Sequence, residues 1–477
     1  MEAERRMADT DLVDFAVDYA RQRGASYAEA RYEHQDKEEF ILKNGVLDAL
    51  YVSEDRGIGV RALAKGGLGF AATNLLTKNE IRAAADSAVK IAKSSGRRTS
   101  IVFANEDANI TNWSVPEGKR LADVPVEEKV AEIASLDRDL MALKIKIPAR
   151  YFTLSCSRIE KYFVNSEGSR IRSYSPRLRF YGYLTVAHDG GVEQNHRNYG
   201  WSGGWEGIRA MDLSRRVVEE ARSMQRSLVE GKKSPEGKMD LVVGPAVSGI
   251  AAHESCGHPM EADRVLGREA SQAGKSFLTP EALGSRVGSE LVNVVDDPIM
   301  EHAIAFYLYD DEGVKARRRY LYKDGLVHEF LHNRETAAAL GTRSNGAARA
   351  VNYNLETIPR MANTFVEPRD HTLEELLEGV KFGVYMKSFM EWNIDDKRYN
   401  AKYAGREAYL IEDGEIKHPV RNTIAELTTP AFWSAVDAIG KDLDVSEAGF
   451  CGKSDPTQSL DASLGGPSMR LRNVYLR

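Results

Sequence analysis

The chain alternates between helical and strand-like hydrophobic periods. From Asp11 to Arg23 the apolar positions Leu12, Phe15, Ala16 and Tyr19 recur at helical spacing, and Gly24 closes the run. That pattern predicts an amphipathic helix. Between Ser26 and Thr73 short alternating runs are broken by Asn44-Gly45, Asp55 to Gly57 and Gly66-Gly67, the turn signals of an antiparallel meander. Thr77 and Glu80 form a capping box for a helix through about Ala92, with Ile81, Ala84, Ala88 and Ile91 on one face. A polar connector, Asn105 to Asn112, precedes a third helix near Val126 to Leu143. Strands are expected at Tyr151–Arg158, Glu160–Asn165, Arg170–Ser173 and Arg177–Ala187, then a helix from Leu213 to Leu228.

The polar stretch Glu230 to Lys238 is the best boundary signal in the chain. It divides an N-terminal domain of helices and antiparallel sheet, residues 1–232, from a β-rich C-terminal domain, residues 233–477. In the second half, Ser285 to Tyr353 reads as strands and turns, including Tyr320 to Phe330 about the Asp324-Gly325 hairpin. Thr372 caps a helix through about Val380, and strands resume at Glu407–Ile411 and Glu415–Val420. The fold class is α+β, with the C-terminal strands curled into a barrel-like sheet.

Composition narrows the function. With 477 residues, 42% hydrophobic and 29% charged, the chain supports large cores in two or three domains. A net charge of −6 argues against affinity driven by phosphate neutralisation. The strongest basic run, Lys315 to Tyr320, reads as a solvated strand face. Three cysteines, Cys156, Cys256 and Cys451, make no disulfide framework and suit a reducing compartment. Cys156 is expected to be a buried structural thiol. No stretch approaches the ~20 apolar residues of a membrane span, and the N-terminus lacks a signal-peptide core. The expectation is a cytoplasmic protein without nucleic-acid or membrane partners.

Candidate chemistry concentrates at Met239 to Asp263. An apolar strand, Met239 to Val243, is broken by Gly244-Pro245, and an Ala/Val/Ile-rich helix then delivers His253, Glu254 and His258. Two imidazoles flanking a carboxylate on an apolar helix are costly unless something binds there. The arrangement predicts a metal site with His253 and His258 as ligands and Glu254 as general base. The histidines are five residues apart, which a regular α-helix would separate by roughly 140°. They converge only if the helix widens or unwinds, and Gly257 is the residue type expected to permit it.

A second motif competes. His328, Glu329, Phe330, Leu331 and His332 spell HExxH, but they follow a hairpin turn in an alternating pattern. On a strand both histidines share one face and Glu329 takes the other, out of reach of a water on the metal. Only a helix starting here would make this a zinc site. For the third ligand the candidates are Cys256, Glu261, Asp263 and Cys451. Cys256 competes sterically with His258. Glu261, three residues after His258, and Cys451, in Ala448 to Lys453 with glycines on either side and Lys453 to favour the thiolate, both remain open on chemistry alone.

The block HESCGHPMEAD (residues 253–263), the late AGFCGK block (448–453) and IPRMANTF (358–365) together resemble the TldD/PmbA family. GIGVRALAKGGLGFAATN in the first meander and EAYLIEDGEIKHPV (407–420) keep the same order over almost the whole chain. The intact HExxxH resembles the TldD branch rather than the PmbA (TldE) branch. The resemblance implies a zinc metallopeptidase with His253, His258 and Cys451 as ligands and Glu254 as base, and it demotes His328 and His332. It also implies a C-terminal domain of strongly bent antiparallel strands, and a dimer with a PmbA/TldE-type subunit or a second copy, enclosing a site reached by small or unfolded peptides. Between Tyr385 and Arg406 the chain departs from the Gly-Gly-rich segment of many members, so peptide preference does not transfer.

The mechanism expected is attack by a metal-activated water, with Glu254 taking its proton and passing it to the leaving amine. Backbone pairing of an extended substrate with an exposed strand would give weak sequence preference. Two other readings stand beside the peptidase: a non-catalytic metal-containing scaffold, and a metal-dependent hydrolase of a non-peptide amide.

Overall fold

Two sheets carry the fold, and strands from the second half of the chain complete the sheet begun by the first. The computed structural model describes residues 2–96, 100–269 and 274–477. Helix α1 (Glu2–Gln22) packs with the meander β1 (Tyr27–Lys43), β2 (Val46–Ala64) and β3 (Gly67–Thr73) and with α2 (Lys78–Ser94). Thr77 caps α2 by accepting from the Glu80 amide, and Ile81, Ala84, Ala85 and Ala88 are buried. The β1–β2 turn falls at Asn44-Gly45, both at positive φ.

Asp55 to Gly57, expected as a turn, instead lies within β2, where Gly57 pairs with Glu33. The glycine marks a close approach: a Cβ on Gly57 would lie 2.1 Å from the Tyr353 ring. Strand β4 (Ile110–Ser114) and helix α3 (Val126–Met141) lead to two long strands, β5 (Ala149–Asn165) and β6 (Arg170–His188), each continuous where two segments were expected. Strand β7 (Gly191–Ser202) was not foreseen because its sequence is polar. It pairs with β6 along its whole length. Helix α4 (Leu213–Glu230) buries Leu213, Val217, Ala221 and Met224 beneath this sheet.

The second half begins with β8 (Gly237–Val243) and helix α5 (Pro245–Ala252). Later come β9 (Phe382–Ile394), β10 (Asn400–Glu412), β11 (Ile424–Thr428), β12 (Asp444–Lys453), β13 (Gln458–Gly466) and β14 (Met469–Leu476). Strands β9, β8, β14, β11 and β10 pair in that order, and β10 returns to β9, closing a five-stranded barrel. The barrel-like sheet is therefore present, with one departure: the β8–β9 seam is parallel. Its inward residues, among them Leu241, Val243, Val384, Met386, Tyr403 and Leu471, join the largest core.

The β12–β13 hairpin leaves the barrel and extends the other sheet, which reaches 13 strands. It meets β7 at Glu447 opposite Tyr199, while β13 runs parallel to Asn363–Val366. Much of 285–353, expected as strands, is irregular. Buried carboxylates satisfy its backbone instead: Asp310 accepts from the amides of Glu312, Val314 and Ala348. The basic run is also not a simple solvated face. Arg317 and Arg318 pair with Glu329 and Asp297, and Arg319 is fully buried against Asp296. Among the described residues no helix is long and apolar enough to cross a membrane.

Candidate metal centre

Pro245 opens α5 at its first turn, with Gly244 as N-cap. The helix presses onto β13 so closely that a Cβ on Gly249 would lie 2.6 Å from the Gly465 amide nitrogen, and one on Gly466 2.3 Å from the Ser248 hydroxyl. This contact fixes where the end of α5 meets the β12–β13 hairpin. At His253 the helix widens into a five-residue π turn, His253–Gly257, closed by the His258 amide donating to the His253 carbonyl. Both imidazoles therefore reach one side. Gly257 itself is right-handed helical, with φ −54°, so conformational freedom is not its reason. A Cβ there would fall 1.8 Å from the sulfur of Met361.

His253, His258 and Cys451, all buried, offer ligand atoms within 4.8 Å of one another. Tetrahedral bonds of about 2.0–2.3 Å set ligand atoms roughly 3.3–3.8 Å apart around an ion, so the trio would close by about an ångström at its widest. Cys451 Sγ lies 3.5 Å from His258 Nε2, and the two imidazole rings stand edge to face with centroids 4.9 Å apart. His253 Nδ1 is buried without a hydrogen-bond partner among the described residues. A donor set of two imidazoles and a thiol with a buried nitrogen left over fits a borderline divalent ion.

The other candidates have different roles. Glu261 Oε2 lies 2.9 Å from His258 Nδ1 and also meets Arg264 and Lys453. Burial works against its ionisation, but Lys453 and then His258 hold the carboxyl well below its usual range. Asp263 pairs with the Lys453 ammonium at 2.7 Å. Lys453 shares the buried face of β12 with Cys451, but its ammonium pairs with Glu261 and Asp263 rather than with the thiol, contrary to expectation. Burial raises the Cys451 thiol, and His258, Arg360 and His253 outweigh it, leaving it well below the ordinary thiol range. Arg360 also donates to the Cys451 carbonyl.

Cys256 sits in the core, its thiol pushed up by burial. Cys156 is likewise buried, pushed up to about 12. The strand expected across the HExxH segment stops at Val327. His328 is exposed, Glu329 pairs with Arg317, and His332 is buried beside Thr336, its pKa pushed down to about 4 by burial.

Glu254 is the next residue along from the first histidine. Its Oε2 accepts from Arg398 at 2.7 Å and its Oε1 from the Trp392 indole at 3.2 Å. Beside it lies a cavity of about 250 Å³, walled by residues 195–198 of β7, 448–451 of β12, Phe389, Met390 and Trp392, and reaching His253, Glu254 and Cys451. It adjoins Glu447, which pairs with Tyr199 where β12 meets β7. Sequence reasoning missed Arg360, Trp392 and Arg398. Arg360 stood in a block already singled out, whereas the other two lie in the segment without a motif.

Two imidazoles and a thiol beside a carboxylate, on a cavity between two strands, make this the candidate metal centre of the chain. Three family models cover most of the chain: PmbA/TldA metallopeptidase domain 1 over residues 28–92, the central domain over 119–225 and the C-terminal domain over 236–476. The chain belongs to the PmbA/TldD metallopeptidase family. A metalloprotease of Methanocaldococcus jannaschii is 32% identical over 93% of this chain and 95% of its own length. A zinc metalloprotease TldD homolog of Saccharolobus solfataricus is 28% identical over 95% of this chain and 97% of its own. The fold is shared with TldE from Thermococcus kodakarensis, at TM-score 0.75 and 17% identity over 98% of this chain and 99% of that one.

Proposed function

We propose that this protein is a zinc-dependent peptidase of small or unfolded peptides, with His253, His258 and Cys451 as ligands and Glu254 as general base. The observation that carries the reading is the convergence of those three ligand atoms within 4.8 Å beside Glu254. Held by His253, His258 and Cys451, a zinc ion would supply Lewis acidity and lower the pKa of a water toward about 7. Glu254 would accept the proton of a water attacking the scissile carbonyl and return it to the leaving amine. Glu261 holds the tautomer of His258 through Nδ1. The metal-bearing unit in this reading is 233–477, and residues 1–232 supply the facing wall through β7.

An extended peptide fits between β7 and β12, where backbone groups diverge past Glu447, and main-chain pairing would bind it with weak side-chain preference. A cavity of about 250 Å³ admits a single strand rather than a folded domain. The reading includes a dimer with a PmbA/TldE-type subunit or a second copy, and a cytoplasmic location. The test is cleavage of casein and of an unfolded-peptide panel by wild type and Glu254→Gln, alone and with a PmbA-type subunit. Turnover lost in Glu254→Gln with zinc retained supports the peptidase. Hydrolysis confined to small-molecule amides would replace it with the amide-hydrolase reading.

A further inference from the structure

The β9–β10 hairpin places two donors on the proposed base, Trp392 from the end of β9 and Arg398 from the tip, and the fold holds that tip at a cost. Arg398 Nη1 donates to Glu254 Oε2 at 2.7 Å, and Trp392 Nε1 to Oε1 at 3.2 Å. Both Arg398 and Glu254 are largely buried there. Arg398 adopts φ 64°, the left-handed region that a long side chain rarely occupies. Such strain persists only where the surroundings impose it, and it clusters at functional sites.

The surroundings do impose it. Asp395 accepts from the Tyr399 and Asn400 amides and from the Asn400 side chain. The Thr429 hydroxyl donates to the Arg398 carbonyl at 2.8 Å, and the Phe277 amide to that of Lys397 at 2.8 Å. Glycine or asparagine would satisfy this backbone more cheaply. The guanidinium's Nε is buried without a hydrogen-bond partner among the described residues.

We propose that Arg398 is a positioning residue for Glu254, completing with Trp392 a two-point clamp that fixes the carboxylate's rotation beside the cavity. This rests on the peptidase reading and assigns the tip a part in it. Each carboxylate oxygen offers two acceptor sites. One bond to each oxygen therefore fixes the plane of the group and leaves capacity for the proton of the attacking water. Trp392 lines the cavity and Arg398 lies outside its wall, so the arginine acts through Glu254 and not on the substrate.

Arg398→Gly tests this without disturbing the tip, because glycine suits the left-handed position. On the zinc-loaded full chain, kcat is expected to fall about 100-fold, the scale of a base misplaced by about an ångström. KM and zinc content should stay within about twofold, free guanidinium should restore part of kcat, and Arg398→Lys should fall between. Affinity for a phosphinic peptide, measured by calorimetry, should weaken in parallel. Unchanged kcat, a loss carried by KM or zinc, or no guanidinium rescue would overturn the clamp and leave the peptidase reading standing. A wild type that cleaves no peptide and binds no phosphinic peptide would overturn both.

Discussion

His258 Nδ1 and Glu261 Oε2 lie 2.9 Å apart, and the carboxylate is itself held by Arg264 and Lys453. One residue expected as a possible ligand thus becomes the group that orients a ligand. With Nδ1 committed, Nε2 faces Cys451. Glu261→Gln keeps the shape and removes the charge. Its zinc affinity, measured by chelator competition, should fall about 10- to 100-fold. Unchanged affinity would limit Glu261 to a structural ion network.

Gly257 is required by Met361, whose sulfur would sit 1.8 Å from an added Cβ. Gly257→Ala should therefore destabilise the fold by about 1–3 kcal/mol through overpacking and lower zinc occupancy by displacing the π turn. Truncating Met361 to alanine in the same chain should recover part of the occupancy. Denaturant melts and metal analysis of the single and double variants give the coupling.

His332 carries the clearest pH signature. Burial lowers its pKa to about 4 in the folded chain, against about 6.5 when unfolded. The unfolded chain then binds the proton first, so stability is present above about pH 6.5 and is lost as pH falls toward 4. The contribution is on the order of 3 kcal/mol. Between those pH values the wild type should lose more stability than His332→Asn, so the gap between their melting temperatures should narrow. A gap independent of pH would contradict a buried neutral His332.

The legible parts of this fold are those where local pattern and tertiary structure agree. The α2 cap at Thr77, the Asn44-Gly45 turn and the wide turn demanded by a five-residue histidine spacing all follow from local chemistry. Close approaches were not legible. Gly57 and Gly257 resemble a turn and a hinge, yet each is dictated by a distant side chain, Tyr353 or Met361. Strand β7 was missed because a polar strand paired on one side and lining a cavity on the other lacks apolar alternation. Lys453 shares a face with Cys451 yet is claimed by Glu261 and Asp263 from the other end of the site, which a linear motif does not reveal. Trp392 and Arg398 act only through a barrel hairpin returning over α5, a relation no local spacing encodes.

The proposed function depends on which residues hold the metal. Zinc content by mass spectrometry on wild type, Cys451→Ala and the His328→Ala/His332→Ala pair tests it directly. Near-stoichiometric zinc in the wild type and in the 328/332 variant, with loss in Cys451→Ala, is the predicted result. Zinc retained in Cys451→Ala and lost from the 328/332 variant would contradict the centre built on His253, His258 and Cys451.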